Sequence, residues 1–162
     1  YMDLILTDKG PKVVEFLVRF NDPATQTILP RLKTDLVEIM LAICEGKADK
    51  LNIEWDPRST VEVVLVSGGY PMKYNTGMLI SGACNVCESE DLLLFHAGTG
   101  RDASGKMITA GGRALDIVAI APSINEARKK AYNEVEKIYF KDIHFRKDIA
   151  SDVLEFEKAR CK

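Results

Sequence analysis

Residues 13–26, VVEFLVRFNDPATQ, place a carboxylate and a guanidinium on one side of an apolar stretch and then run into a polar turn. Side chains of a strand alternate between faces, so Val14, Phe16, Val18 and Phe20 share one side and read as a core face. Glu15, Leu17 and Arg19 share the other, and Asn21-Asp22-Pro23 ends the strand. Magnesium takes hard oxygen ligands and a guanidinium grips phosphate or carboxylate, so Glu15 with Arg19 suits a magnesium and phosphate site. The plainer reading of the same pair is a surface salt bridge on a half-exposed strand.

Other reactive side chains are sparse. Of Cys44, Cys84, Cys87 and Cys161, only Cys84 and Cys87 form a CxxC. A structural zinc site wants a second Cys or His pair, but His96 and His144 stand singly. The CxxC precedes a polar ESED turn rather than opening a helix, so it reads as an incidental thiol pair. Gly68-Gly69 and Gly111-Gly112 match neither a P-loop nor a dinucleotide fingerprint and read as tight turns needing positive φ. His96 reads as a hydrogen-bonded structural histidine, and Arg146 and Asp148 as partners of their neighbours.

The elements that must position these groups follow from periodicity. Residues 2–7 and 12–20 read as two strands joined at Asp8-Lys9-Gly10. Leu32, Leu36, Ile39, Met40 and Ile43 recur at helical spacing, with Asp35 and Glu38 as a start signal and Gly46 as a stop. The polar run 46–60 reads as a linker. Strands are expected at Val61–Val66, Leu92–His96 and Arg113–Ala121, with a turn at Gly105-Lys106. Ser123 and Glu126 form a capping box for a helix carrying Ala127, Ala131, Val135 and Ile138 on one face. Strands before one long helix argue for an α+β fold, divided as 1–46, a linker at 47–60, and 61–162.

With 162 residues, 46% hydrophobic and 28% charged, the composition is that of a globular protein. A formal net charge of −2 gives no electrostatic reason to expect nucleic acid or an anionic membrane as partner. No apolar run is long enough for a membrane span, and YMDLILTDKG lacks the basic start of a signal peptide. Without an initiator methionine at its start, the chain reads as a piece of a longer one. The lack of a disulfide framework fits the cytoplasm.

The segment at 15–26 resembles the E-F-N-x-R-F-G-D-P-E-x-Q signature of the phosphoribosylamine–glycine ligases, ATP-grasp enzymes of purine synthesis. ILPRLKTDLVEIMLA, VLVSGGYP, FHAGT, GGRALDIVAIA and FRKDI continue the likeness in order, up to about Ile149. The resemblance covers only the family's C-terminal part. It implies the end of an ATP-grasp domain, a hairpin plus helix, followed by a small antiparallel sheet domain with one long helix. It also implies an ATP-dependent ligase that uses Mg2+ or Mn2+ to join glycine to phosphoribosylamine, with ATP-grasp and N-terminal domains upstream. By the resemblance Glu15 is a metal ligand, Arg19 a phosphate or carboxylate clamp, Asp22 the group that orients the glycine amine, and Arg113 a substrate-binding residue.

Three positions depart from the signature. Leu17 stands where the family has the metal-binding asparagine, Asn21 replaces the glycine, and Ala24 replaces the second glutamate. With a three-residue hairpin loop, Asp3 faces Glu15 and offers a second carboxylate in place of the lost asparagine, whereas a one-residue change in register would move Asp3 to the opposite face. The competing expectation is a non-catalytic interaction module that keeps the fold with a decayed metal site. Either way, the chain alone is expected to be inactive.

Overall fold

A computed structural model of the chain describes residues 2–160, with side chains described through Phe156. Cys161 lies outside the described residues. β1 (Met2–Thr7) and β2 (Gly10–Phe16) pair antiparallel as a two-stranded sheet of their own. The turn holds Asp8 and Lys9, with Gly10 at φ 89 paired to Thr7, so it is one residue tighter than the sequence suggested. Leu4 then faces Val13, and a bulge absorbing Val14 resets the register so that Asp3 faces Glu15. β2 stops at Phe16, not at residue 20. Its last described pair is Phe16 with Met2, and Leu17–Phe20 follow as irregular chain. The hairpin keeps much of its apolar surface outward, with Leu6 at 83% and Phe16 at 74% exposure.

A short helix, α1 (Ala24–Ile28), follows the loop, and then α2 (Leu36–Cys44). The Asp35 carboxylate caps α2 by accepting from the Val37 N–H at 2.7 Å, and Gly46 (φ 66) follows its end. Leu32 is not part of this helix. It is extended behind Pro30 and bridges to Trp55. The end of the 46–60 run therefore folds back on the chain. Lys33 N–H donates to Glu54 O at 3.0 Å, and Asp56 N–H to Arg31 O at 2.7 Å.

The remaining strands are β3 (Ser59–Val66), β4 (Leu92–His96), β5 (Thr99–Arg101), β6 (Met107–Thr109) and β7 (Arg113–Ala121). Their main sheet is antiparallel in the order β3-β7-β4, with β5 and β6 as a separate ribbon around Gly105. On one face Val61, Val63, Leu65, Leu115, Ile117 and Ala119 form the core with Ala127, Ala131 and Val135 of α3 (Ile124–Val135). The Ser123 and Glu126 capping box begins α3 as expected. A further helix, α4 (Ser151–Arg160), was not foreseen, because its apolar residues make no stripe at helical spacing. The other face carries Glu62, Val64, Asp116, Val118 and Ile120. There α1 lies against β3, and Thr60 Oγ1 donates to Thr27 O at 3.0 Å. No helix among the described residues is long and apolar enough to cross a membrane.

Candidate functional site

The loop after β2 closes on itself and then on β7. Thr25 N–H donates to Asn21 O at 2.9 Å, which turns the chain into α1. One helical turn apart, Gln26 Nε2 donates to Asp22 Oδ1 at 2.9 Å. From across the molecule Arg113, the first residue of β7, donates Nη1 to Asp22 O at 3.0 Å and Nη2 to Asp22 Oδ2 at 2.9 Å. The fold thus joins two residues singled out in sequence, 91 positions apart.

Two concavities flank this ion pair, and Arg113 lines both. One, of about 410 Å3, is walled by Pro23, Glu62, Val64, Val66, Phe145 and Ile149 among others. The second, of about 330 Å3, is bounded by Asp22, Tyr70, Tyr74 and Gly112. A Cβ at Gly112 would collide with the Tyr70 ring, so this glycine serves close approach rather than a turn. Of the four paired glycines, Gly69 is the one at positive φ, 94°.

Behind Asp22 lie two acids that the sequence reading did not single out. Asp116 of β7 is 1% exposed, and its Oδ2 accepts from Gln26 Nε2 at 3.5 Å. Glu62 of β3 sits diagonally from it on the same sheet face, because Val64 is directly opposite Asp116. Burial, then the neighbouring Asp116 and Asp22 charges, push the Glu62 carboxyl up to about 8, against the pull of Arg113. Burial and Asp22 push Asp116 up to about 6, opposed by Arg113 and the Gln26 hydrogen bond. Their signal in the sequence is one acid in each of two apolar runs, VEVVLV and ALDIVAIA. Alternation around a single acid normally places it outward, which hid them.

The other expected residues lie elsewhere. Asp3 and Glu15 face each other across the hairpin, both exposed. Directly opposite strand positions bring side chains within about 5 Å at Cβ, so two carboxylates there form an oxygen-only donor set of the kind magnesium takes. Among the described residues no group of three or more His, Cys, Asp or Glu is placed to hold a metal ion. Arg19 lies beyond the end of β2, so strand alternation does not set its direction relative to Glu15. Its Nη1 donates to Phe20 O and Asn21 Oδ1, both at 3.2 Å. Leu17 is half-buried at the same break.

Cys84 and Cys87 are exposed free thiols. His96 Nδ1 lies 2.9 Å from Thr99 Oγ1, and the His144 backbone bridges to Val66. Arg146 pairs with Asp148 at 2.8 Å.

Residues 60–152 match the family described as phosphoribosylglycinamide synthetase, C domain. A phosphoribosylamine–glycine ligase of Caldanaerobacter subterraneus subsp. tengcongensis is 49% identical over 151 residues, 93% of this chain and 35% of that protein. The enzyme of the same name from Escherichia coli K12 is 42% identical over 159 residues, 98% of this chain and 37% of its own length. The crystal structure of the phosphoribosylamine–glycine ligase of Thermotoga maritima superposes with a TM-score of 0.74 at 32% identity, covering 91% of this chain and 35% of that one. The chain therefore spans little more than a third of the length of these relatives, and what it resembles is their C-terminal part.

Proposed function

The chain belongs to the phosphoribosylglycinamide synthetase C-domain family, and from that premise we propose that it forms the C-terminal part of an ATP-dependent ligase. In this reading the complete enzyme joins glycine to 5-phosphoribosylamine in the cytoplasm to give glycinamide ribonucleotide, for purine synthesis. Residues 1–46 end the ATP-grasp domain, 47–60 connect, and 61–162 form the C-terminal domain. The observation that carries the reading is the Asp22–Arg113 pair, which ties the signature segment to the GGR arginine.

Each residue then has a physical task. Asp22 presents a carboxylate toward an incoming amine while its other contacts hold it in place. Arg113 is anchored by Asp22 yet still lines both concavities, so its charge also serves an anionic substrate group. Arg19, on the exposed loop before Asp22, is placed to clamp phosphate or carboxylate. Glu15 and Asp3 would hold magnesium, with Asp3 supplying the oxygen that Leu17 lacks. When bound, the metal neutralises charge developing on the phosphoryl oxygens of ATP. The outward apolar surface of the hairpin suits burial against the upstream ATP-grasp lobe.

The chain alone is expected to be inactive. An acyl phosphate must be held dry and aligned for attack, and an open hairpin supplies neither condition. A phosphate-release assay with ATP, glycine and freshly formed phosphoribosylamine tests this on the chain and on the longest natural polypeptide containing it. Turnover by the longer chain only is the expected result, and turnover by the 162 residues alone would overturn the argument. Leu17 and Ala24 favour a second reading, a non-catalytic module. No turnover by the longer chain, with substrates bound weakly or not at all, would select it.

A further inference from the structure

Arg113 and Asp116 both belong to β7, at a spacing that would put them on opposite faces of a regular strand. A bulge prevents this. Leu65 is opposite Leu115 but Val66 is opposite Arg113, so Ala114 is absorbed and Arg113 joins the face that carries Glu62, Val64 and Asp116. From that one face β7 reaches both carboxylate oxygens of Asp22. Arg113 Nη2 donates to Oδ2 directly at 2.9 Å. Gln26 Nε2 has two protons, and it donates to Asp22 Oδ1 at 2.9 Å and to Asp116 Oδ2 at 3.5 Å.

The local chain does little to hold Asp22 by itself. Asp22 is exposed, and α1 after it has five residues and no side-chain cap. Gln26 is half-buried and its Oε1 has no partner, so the orientation of its amide rests on the two Nε2 bonds. On the inner side that bond goes to Asp116, which is 1% exposed and fixed in the middle of β7. A carboxylate in so apolar a run is costly to bury, and packing alone would be served by an aliphatic side chain. What an aliphatic side chain could not do is accept from Gln26.

We infer that Asp116 is a positioning residue for Asp22: it anchors the Gln26 amide, whose second proton fixes the Asp22 carboxylate in the direction in which it receives an amine. The inference rests on the reading above, in which Asp22 orients the glycine amine, and adds the buried group that aims it. Asp116 itself touches no substrate. Its effect passes through one glutamine, so replacing it should change how well glycine is held and leave the handling of ATP alone.

Steady-state kinetics on the longest natural polypeptide containing this chain test it. Asp116→Leu removes the acceptor and fills its space, whereas Asp116→Asn keeps an oxygen for Gln26 without the charge. Asp116→Leu should raise KM for glycine about tenfold, the worth of a hydrogen bond to a charged group, with KM for ATP within about twofold. Asp116→Asn should recover most of the loss. A purely structural residue would change the amount of folded enzyme and not KM. An unchanged KM for glycine in Asp116→Leu, an equal rise for ATP, or an Asp116→Asn variant as impaired as Asp116→Leu would each overturn the inference. Nuclear magnetic resonance on the unmutated 162-residue chain needs neither a variant nor turnover. Burial and the Asp22 charge push the Asp116 carboxyl up to about 6, against Arg113 and the Gln26 bond. The other titrating group beside it, Glu62 of β3, is pushed up to about 8, so the two steps are separate. The Gln26 Nε2 protons and the Asp22 carboxylate carbon should both shift in the lower step, and their failure to do so would also overturn the inference. Both shifting, with no turnover by the unmutated longer polypeptide, would refute the ligase reading and leave the link from Asp116 to Asp22 standing.

Discussion

Glu62→Gln should stabilise the protein, and by an amount that depends on pH. Glu62 is a carboxyl moved from an ordinary 4.5 to about 8, chiefly by burial and then by Asp116 and Asp22. Between those values the folded chain holds a proton that the unfolded chain releases, so stability falls as pH rises through the window and levels off above about 8. At about 1.4 kcal/mol per pKa unit, the full shift would cost up to about 5 kcal/mol. Partial exposure and the sharing of repulsion with Asp116 reduce this to about 2–3 kcal/mol at pH 8.5. Glutamine keeps the shape and cannot ionise. Urea denaturation followed by circular dichroism from pH 4.5 to 9 should therefore give nearly superimposable stabilities at the acid end. The variant should lead by about 2–3 kcal/mol at pH 8.5, equivalent to about 5–10 °C in Tm for a chain of this size. A difference that stays constant with pH, or a less stable variant at pH 8.5, would refute the placement of Glu62 in a carboxylate-rich, poorly solvated site.

Arg113→Ala should cost only about 0.5–1 kcal/mol of stability, since the pair it breaks is partly exposed. Amide exchange over residues 22–27 should nevertheless accelerate as the loop loses its anchor. Gly112→Ala should lower stability by about 1–3 kcal/mol, read from a thermal melt, because the new methyl must displace the Tyr70 ring. Leu17→Asn with Ala24→Glu should raise magnesium affinity in the longer polypeptide and leave the isolated chain unchanged, which titration calorimetry on both would show.

The parts of the fold that were legible in sequence are those governed by local rules. The capping box at Ser123, the Asp35 cap and the apolar runs of β3 and β7 each declare themselves within a few residues. What was not legible depends on partners distant in sequence. β2 alternates convincingly to residue 20, yet strand structure ends at Phe16, and no local pattern carries that information. The polar run before Thr60 has linker composition and also pairs with residues 31–33, because backbone hydrogen bonds are blind to side-chain type. The Asp3–Glu15 pairing emerged by a different route than expected. A shorter turn and a compensating bulge at Val14 cancel, where a longer turn without a bulge was anticipated.

The same distinction explains why the signature segment reads differently on each side of Leu17. Before it, Glu15 owes its position to a hairpin that makes its own sheet and leaves both faces largely open. After it, Asp22 owes its position to Gln26 of α1 and Arg113 of β7, and α1 in turn is held by Asp116 and Thr60 of the larger sheet. One contiguous motif thus draws on two sheets, and Leu17–Phe20 are the irregular stretch between β2 and the Asp22 loop. Substitutions in the larger sheet act on Asp22 from that side, Asp116 through its bond with Gln26 and Glu62 through its charge. Changes at Asp3 or Glu15 act on the hairpin alone. Their effects on the Asp22 loop should therefore separate cleanly, and two residues seven positions apart in one motif should respond to different parts of the molecule.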